Sequence, residues 1–193
     1  MEPRAQTVLD RIYLDDASQR AANLPSSQRT RNVTKESGRF LSLVAKSIGA
    51  QTVFEIGSSN GASTIWLADA MRDTGGRVIG TEVLPDRATE ANANLAAAGL
   101  ASEGQILAGD ARELVTKIPG RFDLIFIDAE KDDYIAHFEA VIERLRPGGV
   151  ILADNVTSHD LSGYQAMLRT RSDVETVTVT IERGIEYTVK RRS

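Results

Sequence analysis

The chain has 193 residues, of which 41% are hydrophobic and 26% are charged; this fits one well-buried domain and excludes disorder as the main state. Its net charge of −4 argues against a nucleic-acid partner, which needs a positive surface, although Arg29, Arg31 and Lys35 lie close together. The absence of cysteine excludes disulfides, thiolate metal sites and a cysteine nucleophile.

The N-terminal part of the chain predicts two helices, over 4–21 and 36–48, on either side of a polar linker. Charges occur throughout 1–20, so a secretory signal is not expected. No apolar run approaches the roughly 20 residues that span a bilayer. We therefore expect a cytoplasmic protein with no membrane partner, in which 1–49 is a helical extension of a single domain over 1–193.

From about residue 50, short β-branched runs alternate with longer helical patterns. The predicted strands are 52–56, 76–82, 104–108, 122–128 and 150–154. The predicted helices are 62–71, 86–98, 111–117 and 132–145, the last with Ile135, Phe138, Val141, Ile142 and Leu145 at helical spacing and ended by the Pro-Gly-Gly at 147–149. This alternation predicts a doubly wound α/β fold with a mostly parallel sheet.

The tail has a different pattern, with a helix over 160–171 and then strands over 174–182 and 185–192. Only Arg183 and Gly184 separate the two strands, which predicts a two-residue hairpin turn. The complete prediction is a seven-stranded, Rossmann-like, mostly parallel sheet with an antiparallel hairpin at one edge.

A glycine-containing loop, EIGSSNGAST at 55–64, joins the first predicted strand to its helix. Ligands of such sheets bind beyond the carboxyl ends of the strands. Gly57 permits a tight turn there, and Gly61 lets backbone amides approach a ligand. The dinucleotide fingerprint would place glycines where this chain has Ser59 and Ala62, so phosphate binding is not indicated. The alternative is that the small residues only let strand and helix pack.

Acidic residues lie at the ends of three of the predicted strands near this loop. Glu55 would repel pyrophosphate but attract an ammonium group, and Glu82 lies where an acid accepts ribose hydroxyls. A nucleoside with no phosphate and a cationic amino-acid tail satisfies both, and S-adenosylmethionine is such a ligand. Asp110 falls beside the expected adenine and is also a candidate N-cap of the next helix; the two roles are compatible.

A second group of polar residues lies at the ends of two neighbouring strands: Asp128 ends one, and Asp154 ends the other and is followed by Asn155. Parallel strands lie roughly 5 Å apart, so these side chains can converge at one edge of the sheet. Two carboxylates and an amide oxygen are hard ligands that suit Mg²⁺. The alternative is that Asp128 caps a helix while Asp154 and Asn155 form a turn.

Lys131 lies in the loop after Asp128. A divalent cation disfavours the ammonium form of a nearby lysine, which suits Lys131 as general base for a hydroxyl that the metal acidifies. The alternative is a surface lysine paired with a neighbouring acid such as Glu130 or Asp132. His159 either lines the acceptor pocket or is a solvated loop residue.

In this order, the segments resemble the cation-dependent O-methyltransferase family that includes catechol and caffeoyl-CoA O-methyltransferases, and in particular its small bacterial members. The similarity runs from about Gly38 to Gly149 and on through Asn155. EIGSSNGAST is similar to the family's cofactor loop, GTE to its ribose-binding acid, FDLIFIDAEKDDY to its metal-and-base segment, and RPGGVILADN to the strand with the second metal ligands.

The resemblance implies the class I methyltransferase fold, S-adenosylmethionine as cofactor and a homodimer. It implies Lys131 as general base, and Asp128, Asp154 and Asn155 as ligands of Mg²⁺ or another divalent cation. The residues implied to surround the cofactor are Glu55, Gly57, Ser59, Gly61, Ser63, Glu82, Asp110, Ala111 and Asp128.

Two features depart from the family. Ala62 stands where many relatives carry an aromatic residue, and the segment after Asn155 is shorter than the insertion that shapes the acceptor site of the plant and animal enzymes. The resemblance implies a small hydroxylated substrate, with a catechol as one candidate, but the shorter insertion leaves the identity of the substrate open. The rival hypotheses are a metal-independent methyltransferase acting on nitrogen or a tRNA base, a nicotinamide-dependent oxidoreductase, and a non-enzymatic cofactor-binding protein.

Overall fold

Strands and helices alternate along most of the chain in a computed structural model that describes residues 1–25 and 28–192. The strands are β1 (Thr52–Ile56), β2 (Arg77–Glu82), β3 (Gly104–Ala108), β4 (Phe122–Ile127), β5 (Leu145–Asp154), β6 (Val174–Val179) and β7 (Ile185–Lys190). The helices are α1 (Pro3–Ala21), α2 (Lys35–Ser47), α3 (Ala62–Thr74), α4 (Pro85–Ala97), α5 (Ala111–Lys117), α6 (Tyr134–Val141) and α7 (Ser162–Thr170).

The strands of the described ranges form one seven-stranded sheet in the order β3-β2-β1-β4-β5-β7-β6. Neighbours are parallel from β3 through β5, and β7 pairs antiparallel with both β5 and β6. The predicted doubly wound sheet with an antiparallel edge hairpin is therefore confirmed. The strand order reverses between β1 and β4, which opens a crevice at the carboxyl ends of these strands.

Different helices cover the two faces of the sheet. Alternation along β1 sends Val53 to one face and Phe54 to the other, and both are almost completely buried. The face of Val53 packs against α1 to α4, and the face of Phe54 against α5 to α7. Trp66 of α3 contacts both N-terminal helices: its Nε1 donates to the Tyr13 hydroxyl at 3.1 Å, and its ring leaves no space for a side chain at Gly38. The N-terminal helices thus pack onto the helix that follows the glycine loop.

The predicted helix over 132–145 is shorter in the structure. Short 3₁₀ turns precede and follow α6, so the regular helix has 8 residues. It buries Tyr134 and Phe138, while Ile135 on the opposite side is 44% exposed. Ile135 therefore does not share the buried face with the other apolar residues at the predicted helical spacing, because two helical turns bury only a narrow face.

The strand β5 begins at Leu145, so the Pro-Gly-Gly at 147–149 lies inside it and does not precede it as predicted. The pairing with β4 shifts register between Phe122 and Leu124, and Gly148 has a φ of +74°. A bulge of this kind lets a strand contain proline and glycine residues, which by their local propensity would interrupt it.

The connection between β6 and β7 spans 180–184, so the predicted two-residue turn at Arg183 and Gly184 is wrong. Two residues of the connection have left-handed backbone, Glu182 with a φ of +49° and Gly184 with a φ of +78°. The connection is held by the segment after β5, where the Thr157 amide donates to the Arg183 carbonyl at 2.9 Å. This long-range contact is not visible in a local turn pattern.

Within 1–25 and 28–192, no helix has both the length and the apolar composition that crossing a bilayer requires. The cytoplasmic location stays a prediction.

Candidate active site

A cavity of about 540 Å³ opens where β1, β2, β4 and β5 end. Its volume lies in the range of small-molecule sites. Glu55, Gly61 and Ser63 do not form part of its wall. The predicted site residues that line it are Gly57, Ser59, Glu82, Asp110, Ala111, Asp128, Lys131, Asp154 and Asn155.

Gly57 brings the glycine loop against the end of β4. Its φ is +88°, and a Cβ atom there would collide with the backbone carbonyl of Asp128, whose amide donates to the Ile56 carbonyl at 2.9 Å. Gly61 serves a different purpose: a Cβ atom would lie 3.2 Å from that of Ala91, so this glycine lets α3 pack on α4. The packing alternative therefore holds for Gly61, whereas Gly57 opens onto the cavity.

Glu55 lies beneath the glycine loop and is completely buried. Its carboxylate accepts a hydrogen bond from the Ser58 hydroxyl at 2.7 Å and another from the Thr64 hydroxyl. Burial raises the pKa of Glu55, and the nearby hydroxyls, including that of Ser63, oppose this rise. Glu55 thus anchors the loop from below, and its direct contact with a ligand ammonium group stays a prediction.

Two acids flank the glycine loop on the cavity wall. The Glu82 carboxylate accepts the Ser59 amide at 2.9 Å and the Leu84 amide at 3.0 Å, which holds it between the loop and the end of β2. Asp110 accepts the Arg112 amide at 2.8 Å as the N-cap of α5, and the Arg112 guanidinium lowers the pKa of Asp110. The N-cap role of Asp110 is confirmed, and its contact with a cofactor stays a prediction.

Asp128, Asp154 and Asn155 meet where β4 and β5 end. The Asn155 Nδ2 donates to Asp128 Oδ1 at 2.8 Å, which leaves the amide oxygen as its ligand atom. Asp154 is 4% exposed, and its Oδ1 has no hydrogen-bond partner among the described residues. Burial, and after it the charge of Asp128, raises the pKa of Asp154 to about 7.

This set is small for a metal site. Across the described ranges, no group of three or more His, Cys, Asp or Glu side chains converges on one point. The candidate ligands are therefore two carboxylates and one amide, and water and substrate oxygens would complete the shell of a hard cation. The buried Asp154 oxygen without a donor fits such a cation, because an ionised carboxylate in this environment needs positive charge.

Lys131 is held beside the two acids at the start of a 3₁₀ turn. Its Nζ donates to Asp128 Oδ1 at 2.9 Å and to the Tyr134 hydroxyl at 2.8 Å. That hydroxyl donates in turn to the Asp154 carbonyl at 3.0 Å, and burial raises the pKa of Tyr134 well above its ordinary value, so it stays protonated. The pairing with Asp128 contradicts the surface-lysine alternative. The sequence pattern did not distinguish Tyr134, which holds the Lys131 ammonium group by this hydrogen bond, from an ordinary core residue.

A segment between α1 and α2, residues 29–32 and here called the strap, forms a wall of the cavity that was not predicted. The Nε of Arg29 and both amide atoms of Asn32 are buried without a hydrogen-bond partner in the described structure. Arg31 forms an ion pair with Glu130, in the loop after β4. The basic residues noted in the linker were the only sequence feature that pointed to this segment.

The segment after β5 supplies a further part of the wall. His159 lines the cavity but is exposed, and its Nδ1 lies 3.0 Å from the hydroxyl of the neighbouring Ser158, so its position is compatible with both predicted roles. Arg183 lines the cavity from the connection between β6 and β7. Its place in a predicted hairpin turn concealed it, because the turn pattern does not show where the connection docks.

Comparison with known proteins gives a consistent result. The family described as O-methyltransferase matches residues 4–189. A catechol O-methyltransferase of Mycobacterium tuberculosis is 39% identical over 161 residues, which cover 80% of this chain and 72% of the relative. A catechol O-methyltransferase of Niastella koreensis is 38% identical over 150 residues, which cover 75% of this chain and 67% of the relative.

Solved structures agree in fold. The O-methyltransferase from Bacillus cereus in complex with S-adenosylhomocysteine has a TM-score of 0.82 and 28% identity, covering 96% of this chain and 91% of that one. The cofactor-bound Rv0187 protein of M. tuberculosis has a TM-score of 0.83 and 30% identity, covering 97% and 91%.

The sheet order and the cavity at its switch point, with these likenesses, define an S-adenosylmethionine-dependent methyltransferase. The family match spans nearly the whole described chain, and the two curated relatives are nearly 40% identical. The chain belongs to the O-methyltransferase family and is an enzyme that transfers the methyl group of S-adenosylmethionine to oxygen.

Proposed function

We propose that this O-methyltransferase acts on a small acceptor with neighbouring hydroxyl groups, such as a catechol, with the help of Mg²⁺ or a similar divalent cation. The observation that carries the proposal is the buried Asp154 carboxylate, which has an unpartnered oxygen and lies beside Asp128. The catechol O-methyltransferases among the relatives support the acceptor class. A homodimer remains part of the proposal, on the resemblance alone.

The cofactor would occupy the side of the cavity formed by the glycine loop. The Glu82 carboxylate uses only part of its acceptor capacity on the Ser59 and Leu84 amides, so it can also accept ribose hydroxyls. Asp110 and Ala111 would lie beside the adenine, at the end of β3. S-adenosylmethionine supplies the methyl group on a sulfonium, whose positive charge suits a cavity with several carboxylates.

The metal would be held by Asp128, Asp154 and the amide oxygen of Asn155. A divalent cation bound there supplies orientation and acidity to the acceptor hydroxyl. All three residues line the cavity, and the hydrogen bond from Asn155 to Asp128 holds two of these hard oxygen ligands close together.

The protein's own residues then handle the proton and the alignment. Lys131 takes the proton of the acceptor hydroxyl at its Nζ, and Asp128 and Tyr134 keep that atom beside the site. The acceptor oxygen forms a bond to the methyl carbon as the carbon–sulfur bond breaks, and the sulfur keeps the electron pair as S-adenosylhomocysteine. The walls of the cavity contribute by holding the acceptor oxygen, the methyl carbon and the sulfur in line.

The proposal is tested by mass spectrometry of reactions with S-adenosylmethionine and Mg²⁺ on a panel of catechols, flavonoids and hydroxylated nucleosides. We expect monomethylated products from acceptors with adjacent hydroxyls and none from the matched single phenols. Methylation of single phenols at equal rates, or full activity in a strong chelator, would contradict it.

Replacing Glu82 with glutamine is expected to raise the Kd for S-adenosylhomocysteine by about 10-fold or more, because a charged acceptor for the ribose is lost. Isothermal titration calorimetry measures this directly. The matched control is Glu113→Gln, since this acid is exposed on α5 and lies outside the cavity wall. Equal Kd values for all three proteins would remove the ribose contact from Glu82.

Replacing Tyr134 with phenylalanine is expected to lower kcat by about 10-fold with little change in the acceptor KM, because Lys131 loses a hydrogen-bond partner that positions it. The pH profile of kcat should shift as well, which a purely structural defect would not produce. Tyr164→Phe is the control: Tyr164 packs edge-on to Tyr134 with ring centroids 5.6 Å apart, and its hydroxyl has no partner among the described residues. Matching losses in both variants would refute the positioning role.

A further inference from the structure

Arg183 is fixed next to the candidate metal ligands by backbone contacts. The Thr157 amide donates to the Arg183 carbonyl at 2.9 Å, and the Val156 amide donates to the Gly184 carbonyl at 3.1 Å. Both donors follow directly after Asn155, so the connection between β6 and β7 is attached to the segment that leaves the metal side of the cavity. Arg183 is half-buried there and lines the cavity wall.

The positive charge of Arg183 is uncompensated within the described chain. Three of the other arginines of the wall are in ion pairs, whereas Arg183 forms none among the described residues. The pairs are Arg20 with Asp16, Arg31 with Glu130 and Arg112 with Asp110. The attachment to Val156 and Thr157 places the charge of Arg183 on the side of the cavity where Asp154 and Asn155 lie.

Two other arginines of the wall also lack an ion pair among the described residues, but they lie elsewhere. Arg87 is in the first turn of α4, directly after the end of β2, and its guanidinium donates to the Arg29 carbonyl at 3.3 Å. Arg87 and Arg29, the two arginines without an ion pair, therefore lie on the side of the cavity near Glu82, where the cofactor is proposed to bind. Arg183 is left as the unpaired guanidinium on the acceptor side of the described structure.

We propose that Arg183 is a specificity residue that binds an anionic group of the acceptor, so that the preferred substrate is a catechol bearing a carboxylate. This rests on the proposed function, which places the acceptor hydroxyls at Asp128, Asp154 and Lys131. Guanidinium forms two parallel hydrogen bonds with a carboxylate, and a half-buried site strengthens them. Without Arg183, the acids around the site would repel an anionic acceptor. Arg183 therefore also determines whether the site prefers an anionic, a neutral or a cationic acceptor.

The experiment compares three acceptors of one shape and different charge: 3,4-dihydroxybenzoate, catechol and 3,4-dihydroxybenzylamine. For the wild type we expect kcat/KM to be highest for the benzoate and lowest for the benzylamine. Arg183→Gln should lower kcat/KM for the benzoate by about 10- to 100-fold, mainly through KM, and change that for catechol by less than about 2-fold. Arg183→Lys should retain part of the preference, because it keeps the charge but loses the two-pronged geometry.

Arg191→Gln is the matched control, because this residue lies beyond the opposite end of β7 and pairs with Glu175. It should keep the wild-type order of acceptors. Binding of S-adenosylhomocysteine by calorimetry confirms that each variant is folded.

An equal loss for all three acceptors in Arg183→Gln would assign Arg183 a structural role and overturn the inference. So would a wild-type preference for neutral catechol over the benzoate. If the wild type methylates none of the three, the acceptor class of the proposed function fails and this inference fails with it, a result distinct from methylation without charge discrimination.

Discussion

Replacing Lys131 with alanine is expected to lower kcat by about 10²- to 10⁴-fold while the Kd for S-adenosylhomocysteine stays unchanged. The Nζ of Lys131 contacts Asp128 at 2.9 Å and lies at the cavity wall, where it can reach the hydroxyl of an acceptor held beside the two acids. The cofactor side of the cavity is formed by other residues, so the substitution should change turnover without changing the affinity for the cofactor. Turnover is measured at saturating Mg²⁺, because losing an ammonium group beside Asp128 also changes cation affinity.

Two further variants make this test specific. Lys131→Arg keeps the positive charge but cannot act as a base at neutral pH, so it should be nearly as inactive as the alanine variant. Lys117→Ala, an exposed lysine at the end of α5, should retain full turnover. Wild-type kcat in Lys131→Ala would rule out the general base, and recovery of activity in Lys131→Arg would reduce the role of this residue to charge alone.

Most of the fold could be predicted because apolar periodicity is a local property that the sheet preserves. The runs at 52–56 and 122–128 became neighbouring central strands, and the parallel topology followed from the helices between them. The errors occurred where packing, and not the local apolar pattern, determines the structure. The connection at 180–184 has its length because it docks on Thr157, and Ile135 is exposed because α6 has only 8 residues.

The candidate site was predictable to the same extent and for a related reason. Carboxyl ends of parallel strands share one edge, so Asp128 and Asp154 had to approach each other once β4 and β5 were neighbours. Glu55 shows the limit of this rule. It lies two residues after Val53 on β1, and strand alternation therefore turns its side chain towards the layer of α3 and away from the cavity.

The strap could not have been placed from its sequence. A polar linker has no apolar period, so its position depends on how α1 and α2 pack onto α3, through contacts such as that of Trp66 with Tyr13. The burial of Asn32 and of the Arg29 Nε follows from that packing and from nothing in the linker itself. Arg183 was hidden for the same reason, because the partner of its turn is a distant segment.

Replacing Asp154 with asparagine is expected to abolish Mg²⁺-dependent activity and, at the same time, to stabilise the metal-free protein at pH 8 by about 1–2 kcal/mol. The carboxylate is 4% exposed with one oxygen unpartnered, so the folded state holds its charge at a cost. The pKa of Asp154 is about 7 in the folded protein against an ordinary value of 3.8. The metal-free wild type should therefore lose stability as the pH rises from about 4 to 7, and the asparagine variant should lose less.

Thermal unfolding with and without Mg²⁺ separates this cause from a general packing effect. A cation that binds only the folded state stabilises it by RT ln(1 + [Mg²⁺]/Kd), about 2.7 kcal/mol at 100 times Kd. The wild type should show this increase in Tm and lose its activity when stripped of divalent ions, whereas Asp154→Asn should have a higher Tm in chelator and no response to Mg²⁺. Asp73→Asn is the control, since this exposed acid pairs with Lys46 far from the cavity and should leave the Mg²⁺ response intact. Two results would show that the buried Asp154 carboxylate is not a cation ligand. One is a wild-type Tm that does not change with Mg²⁺, and the other is an Asp154→Asn protein that is less stable than the wild type in chelator.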